Sequence, residues 1–329
     1  AFTQDLVFHA HPSLPKPGNI ARYNIGYHIL MLTRCDFPGA GCQLSALDNG
    51  NAGAPAMVLL HGMRDHALSM EPIAAEFADH RVIALDLRGH GHSEHPGIYT
   101  LMQLMADLRA LIDHFALERP TLVGHSLGGH VCWVFSAIYP ELVERLVLID
   151  GLGPPPLSES YSAAMHQQRW RTQVEALLTA SPAKRQMADA QEARLRLLGN
   201  NPKLDPAWAG RLVEAGVEPH PDGGVQWRWD PRAGMVFATF MGQEAEHYYP
   251  LIECPVLIIN GEHALEYWAR NRPDLGGKQA EFDTANERRR RLFRNAEHVV
   301  SPDAGHMIKY DQPDALNRVI RGFLDGAAS

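Results

Sequence analysis

The sequence has little cysteine, no long apolar run and no excess of positive charge. Four cysteines stand among 329 residues, too few for a scaffold held by disulfides. Cys132 and Cys254 lie in apolar stretches and read as small core residues. Cys35 and Cys42 could pair across a hairpin, but free thiols suit a chain so poor in cysteine. No uninterrupted apolar stretch nears the roughly 18 residues that a spanning helix needs, which excludes that element. Lys and Arg number 30 against 38 Asp and Glu, a net charge of −8. That balance excludes the broad basic surface that nucleic-acid phosphates require. The first residues lack the charged-then-apolar order of a secretory leader. A cytoplasmic location is therefore the expectation. Internal repeats and low-complexity segments are also missing. Hydrophobic residues are 45% and charged residues 21%, ordinary values for a globular chain. The length suits one large domain, or a core carrying an inserted subdomain.

What the chain does have is Leu122, Val123, Gly124, His125, Ser126, Leu127, Gly128 and Gly129 in succession. Pro120 and Thr121 open this stretch as a short buried strand. After it Val131, Val134, Phe135 and Ile138 recur at helical spacing until Pro140. Ser126 falls on the corner between strand and helix. A tight corner strains the serine backbone and leaves no room for side chains two positions either side, where Gly124 and Gly128 stand. The hydroxyl is then lifted clear of the sheet, beside a helix N-terminus that favours negative charge.

Along the chain, residues 1–28 lack periodicity and read as an irregular arm. Strands are predicted over 29–33 and 43–47, with a turn at 37–41 between them. The runs 56–60 and 81–86 are apolar on both faces, as parallel strands covered on both sides are. A helix is predicted over 68–79 between them. Residues 100–117 give the cleanest helix, capped by Thr100, with Leu101, Leu104, Met105, Leu108, Leu111, Ile112 and Phe115 on one face. Strands follow over 145–150, 255–260 and 298–301. A last helix starts near Asp311, with Leu316, Val319, Ile320, Phe323 and Leu324 on its apolar face. Strand and helix in alternation mean an α/β fold with a mostly parallel sheet, doubly wound. The alternation lapses between Gly151 and about Tyr249. This insertion is long enough for a helical lid at the C-terminal edge of the sheet. The expected division is an arm at 1–28, a core at 29–153 and 248–329, and a helical cap at 154–247.

Four motifs in order, His61-Gly62, the run from Asp86 through Ser93, Gly124 to Gly129, and Asp303 to Met307, resemble those of the α/β-hydrolases that carry a cap after the sixth strand. The resemblance covers about 42–153 and 250–326. It implies a serine hydrolase acting on a carboxylic ester or similar acyl substrate through an acyl-enzyme, with no metal or organic cofactor. Ser126 is the implied nucleophile, and a hydroxyl needs a base to take its proton. His306, on a loop after a strand at the same sheet edge, is the candidate. The family usually places the third member, an acid, at position 264, and here that residue is Ala264. Asp150, at the end of the preceding strand where some relatives carry their acid, and Glu262 are the two substitutes, with Asp150 preferred. If not the acid, Asp150 would cap the lid junction and Glu262 would serve a nearby His or Arg. Resemblance and geometry together point to the backbone N–H groups of Met63 and Leu127 as the oxyanion hole. His61 would tie down its own loop.

Other readings compete. The histidines in His90-Gly91-His92-Ser93-Glu94-His95 resemble the metal-binding run of another hydrolase class, but that reading needs further ligands downstream. The run Arg288 to Arg291 reads as a solvated helix face. Trp208, Trp227, Trp229, Tyr248 and Tyr249 in the insertion read as packing residues. If one or two faced the cleft they would favour an apolar acyl or aromatic group. With the same triad, a similar capped enzyme could instead hydrolyse a carbon–carbon bond in a diketone-type compound. A non-catalytic relative binding a small ligand is the reading from another class. The serine disfavours the aspartate-dependent epoxide hydrolases and dehalogenases of this architecture.

Overall fold

A computed structural model describes residues 32–155, 162–237 and 245–326. The arm expected at 1–28 lies outside the described residues. The strands are β1 Thr33–Pro38, β2 Gln43–Asp48, β3 Ala56–Leu60, β4 Arg81–Asp86, β5 Thr121–His125, β6 Arg145–Ile149, β7 Val217–Pro219, β8 Val225–Trp227, β9 Val256–Gly261 and β10 Ala296–Ser301. Eight of them form one sheet in the order β1-β2-β4-β3-β5-β6-β9-β10, and β7 and β8 form a separate ribbon. The β1–β2 and β2–β4 pairs are antiparallel, and every other pair in the large sheet is parallel.

The side chains of this sheet alternate between two cores. Val58, Leu60, Ile83, Leu85, Leu122, Leu146 and Leu148 point to one face. Met57, Leu59, Val82, Ala84, Val123, Val147 and Ile149 point to the other. That period of two, with both faces apolar, is why these strands read as unbroken apolar runs. Helices α1 Glu71–Glu76, α2 Leu101–His114 and α3 Leu127–Ile138 alternate with the first strands. The first face is covered by α2 and α3. The second is covered by α1 and by the C-terminal helix described below. Thr100 caps α2 in a full capping box with Gln103.

Between β6 and β9 the chain carries α4 Ala163–Thr179, α5 Ala190–Asn200, α6 Pro206–Gly216, the β7–β8 ribbon and α7 Ala245–Tyr248. After β9 come α8 Ala264–Asn271, α9 Gln279–Arg290, α10 Ile308–Asp311 and α11 Pro313–Leu324. The inserted segment has small cores of its own. In one of them Leu204, Ala209 and Leu212 pack on Tyr310. The segment is also fastened to the sheet's edge loops: Asp230 N donates to Gly89 O at 2.8 Å, and Tyr99 OH donates to Asp230 Oδ2 at 2.7 Å.

Four expectations need correction. The first described strand is Thr33–Pro38 rather than 29–33; positions 29–31 lie outside the described residues. Phe37 therefore ends a strand, buried against α2 and its C-terminal neighbour Phe115, and does not begin a turn. The helix expected over 68–79 is a 3₁₀ turn, Ala67–Met70, followed by the short α1, with Pro72 in its first turn. The arginine run is not a solvated face throughout: Arg289 is 3% exposed. It donates to Leu152 O at 3.0 Å, Gly153 O at 2.7 Å and Asn286 Oδ1 at 2.5 Å, so three acceptors replace its water. All four cysteines are free.

Candidate active site

Parallel register gathers the C-terminal ends of five strands. Leu60 of β3 pairs with Gly124 of β5, His125 with Ile149 of β6, Ile149 with Ile259 of β9, and Gly261 with Ser301 of β10. The residues that leave these ends are Gly62, Ser126, Asp150 and the loop that carries His306.

Ser126 has φ 52° and ψ −115°, a conformation that costs a non-glycine residue about 1–3 kcal/mol. Its surroundings hold it there. A Cβ at Gly124 would stand 2.5 Å from the Gly128 backbone, and one at Gly128 would stand 2.2 Å from Leu60 O. Side chains are excluded on both sides of the corner by strand–helix contact. Ser126 N donates to Ile149 O at 3.1 Å, the last residue before Asp150. Gly128 N donates to His61 O at 3.1 Å, which joins the first turn of α3 to the loop bearing Met63. Leu127 opens α3, where first-turn N–H groups have no intrahelical acceptor. Buried His61 accepts from Leu87 N at 3.1 Å through Nε2, so it ties its loop to the end of β4, as expected.

His306 and Asp150 are both buried, and Nδ1 of His306 donates to Oδ2 of Asp150. Asp150 itself has φ 43°. Its other oxygen accepts from Asn260 Nδ2 at 2.7 Å, and Asn260 Oδ1 accepts from His298 Nε2 at 3.0 Å. The carboxylate is thus fixed from two sides. Glu262 points elsewhere: its Oε2 accepts from Asp303 N at 2.9 Å and lies 3.9 Å from His263 Nε2. Ala264 is buried at the start of α8. From that helix the Tyr267 ring stacks on His306, centroids 3.9 Å apart, and Trp268 meets the same imidazole edge-on at 4.9 Å.

The His125 ring lies 5.0 Å from the His306 ring, and its Nε2 donates to His306 O at 3.0 Å. The chain neighbour of Ser126 therefore touches His306 directly. Among the described residues no hydrogen bond joins the Ser126 hydroxyl to His306 itself. Burial holds the His125 imidazole neutral, well below its ordinary range, with Lys309 and His306 adding to the effect. His130, one turn into α3, is lowered to about 4, chiefly by burial.

Behind the site, Lys309 Nζ donates to Asp65 Oδ2 and Ser69 Oγ, each at 2.6 Å. Burial lowers the lysine's affinity for its proton, with Asp65 opposing. For Asp65 burial pulls upward, but Lys309, His66 and His61 outweigh it and hold the carboxylate well below its usual range. The pair binds the His306 loop to the Met63 loop.

His90 lies in the loop after β4 with Nδ1 3.1 Å from Arg88 O, and burial lowers it to about 3. His92 N donates to Asp86 Oδ2 at 3.0 Å. Among the described residues no three His, Cys, Asp or Glu side chains converge as a metal site would require. The Asp86 motif is structural in its contacts. Its carboxylate also accepts from Ala67 N at 2.7 Å and Arg34 Nη1 at 2.9 Å.

A model of the alpha/beta hydrolase fold matches residues 55–313. The chain belongs to that family. An esterase of Mycobacterium tuberculosis is 27% identical over 293 residues, 86% of either chain. Epoxide hydrolase 4 of Mus musculus is 34% identical over 124 residues, 36% of this chain and 34% of the relative. The chain thus spans about a third of that relative's length. The thioesterase domain of the curacin biosynthetic pathway superposes with a TM-score of 0.73 at 21% identity, covering 88% of this chain and 99% of the domain, which is a likeness of fold. The structure brings Ser126, His306 and Asp150 to one end of the sheet and turns Glu262 away from His306. No role was read in the sequence for Asn260, Tyr267 or the Asp65–Lys309 pair, and Arg289 was read as solvated. Asp65 and Lys309 each stand within four residues of a recognised motif, and Lys309 is a charge between Ile308 and Tyr310; that was the available signal.

Proposed function

We propose that the chain is a serine hydrolase that cleaves a carboxylic ester or related acyl bond through a covalent acyl-enzyme. The observation that carries this reading is the buried His306–Asp150 contact beside a serine on a strained corner. Ser126 Oγ attacks the acyl carbon while His306 Nε2 takes its proton. Asp150 keeps the proton on Nδ1 and steadies the imidazolium that forms. The N–H groups of Leu127 and Met63 receive the oxyanion, each worth about 10²–10³ in turnover. Nε2–H then protonates the departing alkoxide. A water, deprotonated by the same nitrogen, attacks the acyl carbon and frees the acid and Ser126.

Epoxide opening in this architecture uses a carboxylate nucleophile, and the corner here bears a hydroxyl. That favours acyl chemistry over the epoxide relatives. A panel of p-nitrophenyl esters, epoxides and vinylogous diketones tests the assignment. Hydrolysis of the esters, lost in Ser126→Ala, is expected. Turnover of the epoxides or the diketones alone would overturn it.

A further inference from the structure

Arg64 stands in the loop after β3, beside the corner that bears Ser126. It follows Met63, and its backbone φ is 62°, a conformation that L side chains rarely adopt. Asp65, the next residue, turns inward to Lys309, whereas Arg64 is exposed. Among the described residues Arg64 has no carboxylate partner. Its guanidinium lies 5.2 Å from the centroid of the Trp229 ring. Trp229 comes from the inserted segment and is bridged to the backbone of His90. A Cβ placed on Gly62 would be 3.3 Å from the Ser126 Cβ, so the loop that carries Arg64 touches the serine. A cation without a carboxylate partner among the described residues thus stands over Trp229, two residues along the chain from that contact.

We infer that Arg64 binds a carboxylate of the substrate, so that the substrate is an ester bearing an anionic group within a few bonds of the scissile carbonyl. This rests on the acyl-hydrolase reading above. A guanidinium stacked on indole keeps its in-plane N–H groups free, and their fork matches the two oxygens of a carboxylate. The whole chain carries a net charge of −8 and repels an anion, so a local cation is needed to hold one. The carboxylate can belong to the acyl half or to the alcohol half, and Arg64 meets the same chemistry in either.

The experiment compares p-nitrophenyl hemiglutarate, 3-butyryloxybenzoate and neutral p-nitrophenyl pentanoate in wild type, Arg64→Met and Arg64→Lys. Wild type is expected to favour one of the two anionic esters in kcat/KM. Arg64→Met should lower that anionic-to-neutral ratio by about 10- to 100-fold, as loss of a charged hydrogen bond does. Arg64→Lys should restore part of it. Which anionic ester responds identifies the half that carries the charge. No anionic preference in wild type, or a ratio unmoved by Arg64→Met, would overturn the inference. Calorimetric binding of the same esters to Ser126→Ala, with and without Arg64→Met, reads the anion contact without turnover. Anion-selective binding that needs Arg64 upholds the Arg64–carboxylate contact even if no ester is hydrolysed, an outcome that would sink the acyl-hydrolase reading and with it the ester assignment.

Discussion

Two carboxylates stand near the end of the sheet where His306 lies, and side-chain direction separates them. Asp150 turns through a positive φ so that its carboxylate meets Nδ1, while Glu262 faces Asp303 and His263. Asp150→Asn is expected to lower turnover by about 10⁴, the scale for a triad acid in serine proteases. Glu262→Gln should stay within about threefold of wild type, because solvent reaches that side chain and it touches no proposed reacting group. Steady-state kinetics on one ester checks both, and a reversed ranking would move the acid to Glu262. Ser126 was legible because a strained corner excludes side chains at 124 and 128, and exclusion of that kind appears in sequence as glycine. The choice of acid was not legible, because position along a strand fixes which edge a residue reaches and not where its carboxylate points. Asn260 was invisible for the same reason, since its amide gains a role only once β6 and β9 lie side by side.

At the scale of elements, α10 is a single turn whose placement rests on one buried cation. Lys309 reaches from α10 to Asp65 and Ser69 in the segment after β3, and so sets the distance between the His306 loop and the Met63 loop. Lys309→Met leaves the Asp65 carboxylate deprived of its cation in a nearly dry site, at a cost of about 3–5 kcal/mol. Adding Asp65→Asn should recover a large part of that loss, because the penalty belongs to the unpaired charge. Urea denaturation of the two single variants and the double variant measures this coupling. Additive losses would show that the pair does not act as a unit. Arg289 teaches a related lesson. A run of four arginines on a helix read as solvated, yet the helix rotates one of them onto the carbonyls that follow β6. Linear charge patterning cannot identify which member of a run faces inward when the acceptors come from a distant loop.

For the whole molecule, the doubly wound sheet was legible because five strands bury both faces and announce it as unbroken apolar runs. The packing within the inserted segment was not. Helix α4 buries none of its residues, and Trp170, Val174, Leu177 and Leu178 on it are exposed, so no periodic stripe marks a core. The segment's fastenings, Tyr99 to Asp230 and Leu204, Ala209 and Leu212 to Tyr310, join positions far apart in sequence.

The buried histidines make the fold sensitive to acid. Burial lowers His61, His90, His125 and His130 in the folded state, to about 3 for His90 and about 4 for His130. The unfolded chain takes up these protons near pH 6.5, the folded chain only below it. Between those values the unfolded state binds more protons, so stability falls as pH falls. Each group contributes on the order of 1.4 kcal/mol per pH unit in that window. Charge repulsion alone would instead favour pH values near the isoelectric point of about 6.1. Urea midpoints at pH 7.5, 6 and 5 are expected to decline steadily, and a maximum near pH 6 would contradict this.

The central claim is that Ser126, deprotonated by His306, attacks an acyl carbon. Its most direct test is covalent trapping by a fluorophosphonate, read by intact-protein and peptide mass spectrometry. The account predicts one phosphonyl group per chain, on Ser126, absent in Ser126→Ala and slowed by orders of magnitude in His306→Ala. Labelling at another residue, or an unreactive Ser126 in folded protein, would contradict it.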